Sequence, residues 1–151
     1  MHRGGIGHTR EERSRQVEEK EQTVYEWDSY VPISDAVRKL KTWEEQKAEI
    51  LYLTSRRSSD EVGIIERILK RQGFPEGQLL SRMESQQYKD IAEIIVPDIL
   101  IEDDCESIGG ADSMTITYIK PGIRKRIKSI QVKEFGGIDH LPDDITALME
   151  Y

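Results

Sequence analysis

Short apolar runs alternate with longer amphipathic stretches along most of this chain. The runs are too short for helices and stop at polar residues, as interior parallel strands do. Such runs lie at residues 50–53 and 99–101, and two further short strands are predicted at 78–80 and 129–133. Between them, apolar residues recur at three- and four-residue spacings, which predicts helices over 36–43, 59–69 and 85–96. Alternating strands and helices indicate an α/β fold with a mainly parallel sheet.

Capping residues indicate where several helices begin and end. Thr9 and Glu12 have the spacing of a capping box, which predicts a polar helix reaching about Lys20. Ser34 is placed to cap the helix over 36–43, and Gly73 to end the helix over 59–69.

The last third of the chain has fewer sequence patterns that predict secondary structure. We expect residues 114–119 to be extended, Pro121 to open a short helix, and an acidic tail to follow Gly136 and Gly137. Nearer the N-terminus, Trp27 and Tyr30 are predicted either to pack at a helix entry or to stack on a base.

Composition is typical of one soluble domain, here 1–151, with a polar helical segment at 1–30 and an α/β core at 31–151. The chain is 36% hydrophobic and 34% charged, with a net charge of −7. That charge argues against nucleic acid or an anionic membrane as a partner. No apolar stretch has the length of a signal peptide core or a membrane span, so we expect a cytoplasmic protein. The single cysteine, Cys105, has no partner for an internal disulfide.

Three consecutive carboxylates, Glu102, Asp103 and Asp104, follow the apolar run 99–101. In open parallel sheets, ligands bind beyond the carboxyl ends of the strands, and clustered acids there repel one another unless a cation neutralises them. The sequence therefore predicts a Mg²⁺ site formed by these acids. The alternative is a turn with solvated acids.

Two further polar groups have the chemistry to bind a phosphate. Thr54, Ser55 and Arg56 end the first apolar run, so their hydroxyl and guanidinium groups are expected at a strand end. Lys89 lies in the predicted helix over 85–96, where its ammonium group would neutralise charge. Together with a bound Mg²⁺, such groups favour metal-assisted phosphoryl chemistry. The alternative interpretation is that Thr54 is a capping residue after a strand and that Lys89 is a solvated charge on the surface of a helix.

This order of strand-terminal Thr, helical Lys and strand-terminal acids resembles the haloacid dehalogenase-like superfamily of phosphohydrolases. The segments 30–33, 101–110 and 133–142 also look like those of a poorly characterised prokaryotic branch of it. The resemblance covers roughly residues 31–135. It implies a three-layer α/β/α, Rossmann-like fold with helices on both faces of the sheet and a small N-terminal helical cap. It also implies that Thr54 and Lys89 act in catalysis.

The chain departs from this family at its first motif. The family has an Asp-x-Asp after its first strand, which supplies the nucleophile, and no such triplet precedes Thr54 here. Asp28 follows a polar stretch and is a poor substitute. We therefore expect the first, central strand to be missing and Met1 to be an internal methionine. Neighbouring strands would then expose an apolar edge, which favours a homodimer.

Two functions follow from the resemblance. The first is a metal-dependent phosphohydrolase acting on a small phosphate ester or nucleotide, inactive as this chain stands because the nucleophilic aspartate is absent. The alternative is a non-catalytic domain of the same fold that binds a phosphorylated ligand or a protein partner.

Two other α/β folds fit less well. A phosphorylated receiver domain would need far more chain after Asp104 than is present. The glycines Gly4, Gly5 and Gly7 have no strand before them, so they lack the context of a dinucleotide-binding loop.

Overall fold

The computed structural model describes residues 1–83 and 85–151, and the fold is mixed α/β. Its helices are α1 (Arg10–Glu18), α2 (Ala36–Glu45), α3 (Ser59–Arg71), α4 (Tyr88–Ile95), α5 (Thr115–Tyr118), α6 (Pro121–Arg124) and α7 (Ile145–Glu150). Its strands are β1 (Leu51–Thr54), β2 (Gln78–Ser81), β3 (Ile99–Asp103) and β4 (Lys128–Val132). Short 3-10 turns lie at Arg3–Gly5, Gln22–Val24, Trp27–Ser29, Glu106–Ile108 and Gly110–Ser113. Within the described ranges, no helix is long and apolar enough to cross a membrane.

The strands form two parallel pairs. Strand β1 pairs with β2 from Leu51 opposite Gln78 to Thr54 opposite Ser81. Strand β3 pairs with β4 from Ile99 opposite Lys128 to Asp103 opposite Val132. No hydrogen-bonded ladder joins the two pairs in the part of the chain that the structure describes. In each pair a crossover connection joins the two strands, as parallel pairing requires.

Most of the predicted elements are present. The capping box at α1 is confirmed: Thr9 Oγ1 accepts from the Glu12 amide, and the Glu12 carboxylate accepts from the Thr9 amide at 2.7 Å. Helix α3 ends before Gly73, whose φ of +73° is the left-handed conformation that glycine adopts readily. Ser34, in contrast, has a φ of 45° and is not the cap of α2, because the N-cap residue is Asp35.

Two segments near the C-terminus differ from the sequence prediction. Of residues 114–119, only Met114 and Ile119 have extended backbone, because Thr115–Tyr118 forms one helical turn. The tail contains an unpredicted helix, α7, whose N-cap Asp144 accepts a hydrogen bond from the Ala147 amide at 2.8 Å. Both segments lack a long apolar period, so their conformation depends on contacts with residues distant in sequence.

Two apolar clusters lie on opposite faces of β3. Ile99 and Ile101 pack against the first cluster, whereas Leu100 packs against the second. The buried members of the first cluster are Trp43, Ile130, Val132, Leu141 and Leu148. Those of the second are Ala92, Met114, Ile116, Ile119 and Ile127. Because successive strand residues point to opposite faces, β3 is covered on both sides.

Polar contacts fix the segment 138–148 against α2. The buried Lys39 ammonium donates to the Leu141 carbonyl at 2.7 Å and also contacts the Asp143 carboxylate. Trp43 Nε1 donates to the Pro142 carbonyl at 2.9 Å. Gln46 donates to the Asp143 carbonyl at 2.7 Å and accepts from the Ile145 amide at 2.9 Å. These contacts satisfy polar groups that burial would otherwise leave unpaired.

Gly77 allows the chain to approach β1 closely at the start of β2. A Cβ atom there would lie 2.1 Å from the carbonyl oxygen of Ile50. Any other residue would therefore push β2 away from β1, since real Cβ atoms do not approach a carbonyl oxygen so closely.

Replacing Leu148 by alanine tests the contribution of α7 to the first cluster. Leu148 is 1% exposed, whereas the adjacent Met149 is 44% exposed. We expect Leu148→Ala to lower the free energy of unfolding by about 2–5 kcal/mol, because it removes buried methyl groups and leaves a cavity. The matched variant Met149→Ala should change it by less than about 0.5 kcal/mol. Urea denaturation measures both, and equal effects would contradict the packing of α7.

The contact between Lys39 and Asp143 predicts a loss of stability in acid. The hydrogen bond from Lys39, followed by the charge of Arg38, lowers the pKa of Asp143 below its ordinary value of 3.8. A carboxyl whose pKa is lowered on folding stabilises the fold above its unfolded pKa and loses that effect as the pH falls through the folded pKa.

We therefore expect the free energy of unfolding to fall as the pH drops below about 4, and to fall less steeply in Asp143→Asn. Urea denaturation of both proteins between pH 3 and pH 7 measures this difference. An identical pH dependence in the two proteins would argue against the contact.

Candidate functional site

The carboxylate of Glu102 is bound by backbone amides. Its two oxygens accept hydrogen bonds from the amides of Thr115 at 2.7 Å and Ile116 at 2.9 Å. These are the first amides of α5, which have no acceptor within the helix itself. Glu102 therefore caps α5, and this contact explains why residues 115–118 are helical although their β-branched composition favours an extended chain.

Asp104 is buried and bound by its neighbours on the loop after β4. Its carboxylate accepts from the Glu134 amide at 3.0 Å and lies 3.0 Å from Lys133 Nζ. Burial alone would raise the pKa of Asp104, but the Glu134 amide and Lys133 outweigh it and hold the pKa below 3.8. Asp104 is therefore an anion at neutral pH and joins the loops that follow β3 and β4.

Asp103 is the most accessible of the three acids. It is the last residue of β3 and is exposed, and its Oδ1 accepts from the Cys105 amide at 2.9 Å. In the described part of the chain, no hydrogen bond or ion pair engages its other carboxylate oxygen, Oδ2. Cys105 beside it has a φ of 50°. Burial, followed by the charge of Asp103, raises the pKa of the Cys105 thiol to about 12, so the thiol is not an activated nucleophile.

The three acids do not converge on one point. Glu102 faces α5, Asp104 faces the loop after β4, and Asp103 faces its own turn. Among residues 1–83 and 85–151, no group of three or more His, Cys, Asp or Glu side chains is arranged to hold a metal ion. Asp103 is the only exposed residue of the three acids.

Thr54, Ser55 and Arg56 form the loop after β1. The Thr54 hydroxyl oxygen accepts from the Arg56 amide at 3.2 Å, so its own O–H remains available as a donor. Ser55 is exposed. The Arg56 guanidinium lies 4.2 Å from the ring centre of Trp27 and 3.4 Å from a carboxylate oxygen of Glu61.

Lys89 is in α4, as predicted, and its ammonium group contacts the adjacent Asp90 at 2.7 Å. That hydrogen bond raises the pKa of Lys89, which is therefore a cation at neutral pH. In the described part of the chain, no hydrogen bond or ion pair links Lys89 to Thr54 or to the acids after β3.

Residues 1–30 contact the loops at the carboxyl ends of three strands. Arg10 of α1 donates to Glu106 after β3 at 2.8 Å, and Arg13 donates to the Phe135 carbonyl after β4 at 3.2 Å. Trp27 lies under Arg56 after β1. The strand-end groups of both strand pairs thus lie against the same N-terminal segment.

A cavity of about 190 Å³ beside Thr54 was not among the predicted site features. Its wall combines Trp27 and Tyr30 with three isoleucines of α3. The closeness of the two aromatic residues in the sequence was the only pattern that could have indicated this cavity. It was not sufficient, because their position against α3 depends on a contact between residues distant in sequence. Arg10 was also missed, because the polar pattern of α1 does not indicate which residues it contacts.

Comparison of the chain with protein-family models, with curated protein sequences and with solved structures finds no match.

Changing Glu102 to glutamine separates a capping role from metal binding. A glutamine side chain has one carbonyl oxygen for the two amides of Thr115 and Ile116, so one of them loses its acceptor. We expect the free energy of unfolding to fall by about 1–3 kcal/mol. Glu66→Gln, on the exposed side of α3, is the matched control and should change it by less than about 0.5 kcal/mol. Urea denaturation without metal checks this, and an unchanged stability would show that the cap is dispensable.

Proposed function

We propose that this chain is the phosphate- and metal-binding part of a metal-dependent phosphohydrolase of the haloacid dehalogenase-like type. The supporting observation is that one N-terminal segment, residues 1–30, contacts the loops at the strand ends of both strand pairs. The segment 1–30 contacts the loop that carries Thr54 and the loop that follows Asp103, through Trp27 and Arg10 respectively. A cleft under this segment would expose a hydroxyl donor and a free carboxylate to the same small molecule.

In this proposal the two parallel strand pairs are parts of one three-layer, Rossmann-like sheet. The coverage of β3 on both faces supports this view. The central strand that carries the nucleophile in the family is the one whose motif this sequence does not contain. The segment 1–30 takes the place of the small helical cap.

The residues have distinct roles. Thr54 donates its hydroxyl to a phosphate oxygen, and the Ser55 hydroxyl and the Arg56 guanidinium add donors on the same loop. Asp103 would hold Mg²⁺, which would offset the phosphoryl charge, while Glu102 and Asp104 remain bound by backbone amides. Lys89 supplies positive charge. The sequence contains no Asp-x-Asp triplet before Thr54 to supply the nucleophile, so in this proposal the 151 residues bind a phosphate ester without forming a covalent intermediate.

A second candidate is a non-catalytic domain that binds a phosphorylated ligand or a protein partner. The engagement of Glu102 and Asp104 in backbone contacts favours it, because both acids already stabilise the fold. The two candidates differ in whether phosphate binding depends on Mg²⁺ and Asp103.

Calorimetric titration with MgCl₂ and with inorganic phosphate tests the proposal. We expect Asp103→Asn to weaken Mg²⁺ binding by about tenfold or more, since it removes the charge of the accessible acid. Thr54→Val should weaken phosphate binding by about tenfold, the effect of one hydrogen bond to a charged group. Asp112→Asn, in an exposed 3-10 turn, is the matched control and should change neither.

The same proteins should show no hydrolysis of p-nitrophenyl phosphate. Phosphate binding that is independent of Mg²⁺ and insensitive to Asp103→Asn would favour the non-catalytic candidate. Failure of the unmodified chain to bind either Mg²⁺ or phosphate would contradict the first candidate and the phosphorylated-ligand form of the second.

A further inference from the structure

Helix α3 has an apolar face that the rest of the chain covers only in part. Ile64, Ile65 and Ile68 follow the spacing of one helix face, yet none of them is fully buried. Together with the rings of Trp27 and Tyr30, they form the wall of the 190 Å³ cavity. An apolar wall left accessible beside polar groups is the usual composition of a small-molecule site.

The polar part of the cavity lies at one end of β1. Thr54 and Arg56 belong to its lining, and both are phosphate-binding residues in the function proposed above. Glu61 also lines it, but the hydrogen bond from Ser58, partly offset by burial, and the charge of Arg56 lower the pKa of Glu61. Its charge is therefore already paired with Arg56, at 3.4 Å.

The size of the cavity matches a single ring. An enclosed apolar cavity of about 150 Å³ is enough for benzene, whereas drug-sized ligands occupy about 300 Å³ or more. The cavity of about 190 Å³, which is partly open to solvent, therefore has room for a six-membered ring with a small substituent.

A larger and more open cavity, of about 440 Å³, shares Trp27 and Ile64 with the first. Among the described residues, its lining includes the acids Glu26 and Asp28 but no lysine or arginine, so it offers no cation to a phosphate group. A phosphate ester would therefore favour the cavity that Thr54 and Arg56 line.

We infer that the cavity between Trp27 and α3 binds the ring of a single-ring aryl phosphate monoester, with its phosphate group at Thr54 and Arg56. This inference rests on the proposed function and names its substrate class. The ring contacts the isoleucines of α3 and the face or edge of Trp27, while the phosphate reaches the donors at the end of β1.

Tryptophan fluorescence of the full chain tests the inference directly. The chain has two tryptophans, and Trp43 is 2% exposed in the core, so a ligand in this cavity should perturb Trp27 alone. Titration with phenyl phosphate should change the emission, and the change should disappear in Trp27→Phe. We expect phenyl phosphate to bind about tenfold more tightly than inorganic phosphate or glycerol 1-phosphate, because only its ring removes apolar surface from water.

A cavity-filling variant provides a second measurement. Ile68→Phe should weaken phenyl phosphate binding by about tenfold and leave calorimetric inorganic phosphate binding unchanged. Ile94→Phe adds the same side chain at an isoleucine that is 71% exposed on α4, and it should affect neither ligand. The comparison of ligands on the unmodified chain does not depend on the folding of any variant.

The outcomes separate the two proposals. Equal affinity for phenyl phosphate, glycerol 1-phosphate and inorganic phosphate would overturn the aryl site while leaving phosphate binding intact. A third outcome is that phenol binds as tightly as phenyl phosphate and that Ile68→Phe abolishes its binding. This result would overturn the assignment of an aryl phosphate and would also remove support from the phosphate function. Phenyl phosphate binding that leaves Trp27 emission unchanged would overturn the position of the ring.

Discussion

One apolar cluster joins the two halves of this fold. The two parallel strand pairs share no backbone hydrogen bond in the described part of the chain, so side-chain packing must hold them together. Ile50, just before β1, packs against the same cluster as Ile99 and Ile101 of β3. Trp43 is one of its buried members, and its indole donates a hydrogen bond to the Pro142 carbonyl. The relative position of the Thr54 loop and the Asp103 loop therefore depends on this cluster, together with the contacts that residues 1–30 make with both loops.

The polar groups around the strand ends divide into those that build the fold and those that remain accessible. Glu102 and Asp104 connect elements distant in sequence: the former caps α5, and the latter ties the loop after β3 to Lys133 and Glu134. Asp103 and the Thr54 hydroxyl keep unused bonding capacity. This division means that adjacent acids in one sequence run have different tasks, which their side-chain contacts determine.

The sequence predicted elements whose signals are local. The capping box at Thr9, the apolar period of α3 and the stop at Gly73 all act within a few residues, and the structure contains them. Residues 115–118 were predicted incorrectly because their helical turn depends on Glu102, more than ten positions earlier. Local sequence patterns also predicted that Thr54 and the acids lie at strand ends and that Lys89 lies in a helix. The hydrogen-bond partners of these residues could not be predicted, because groups such as the Glu134 amide are distant in sequence and come close only when the chain folds.

The environment of Cys105 has a consequence for the chemical behaviour of the whole protein. A thiol with a pKa of about 12 is almost entirely protonated at physiological pH, and thiolate is the species that reacts with oxidants and alkylating reagents. The only sulfhydryl group of the chain is thus poorly suited to crosslink two copies under air oxidation. Labelling with maleimide should therefore be slower at Cys105 than at an ordinary exposed cysteine.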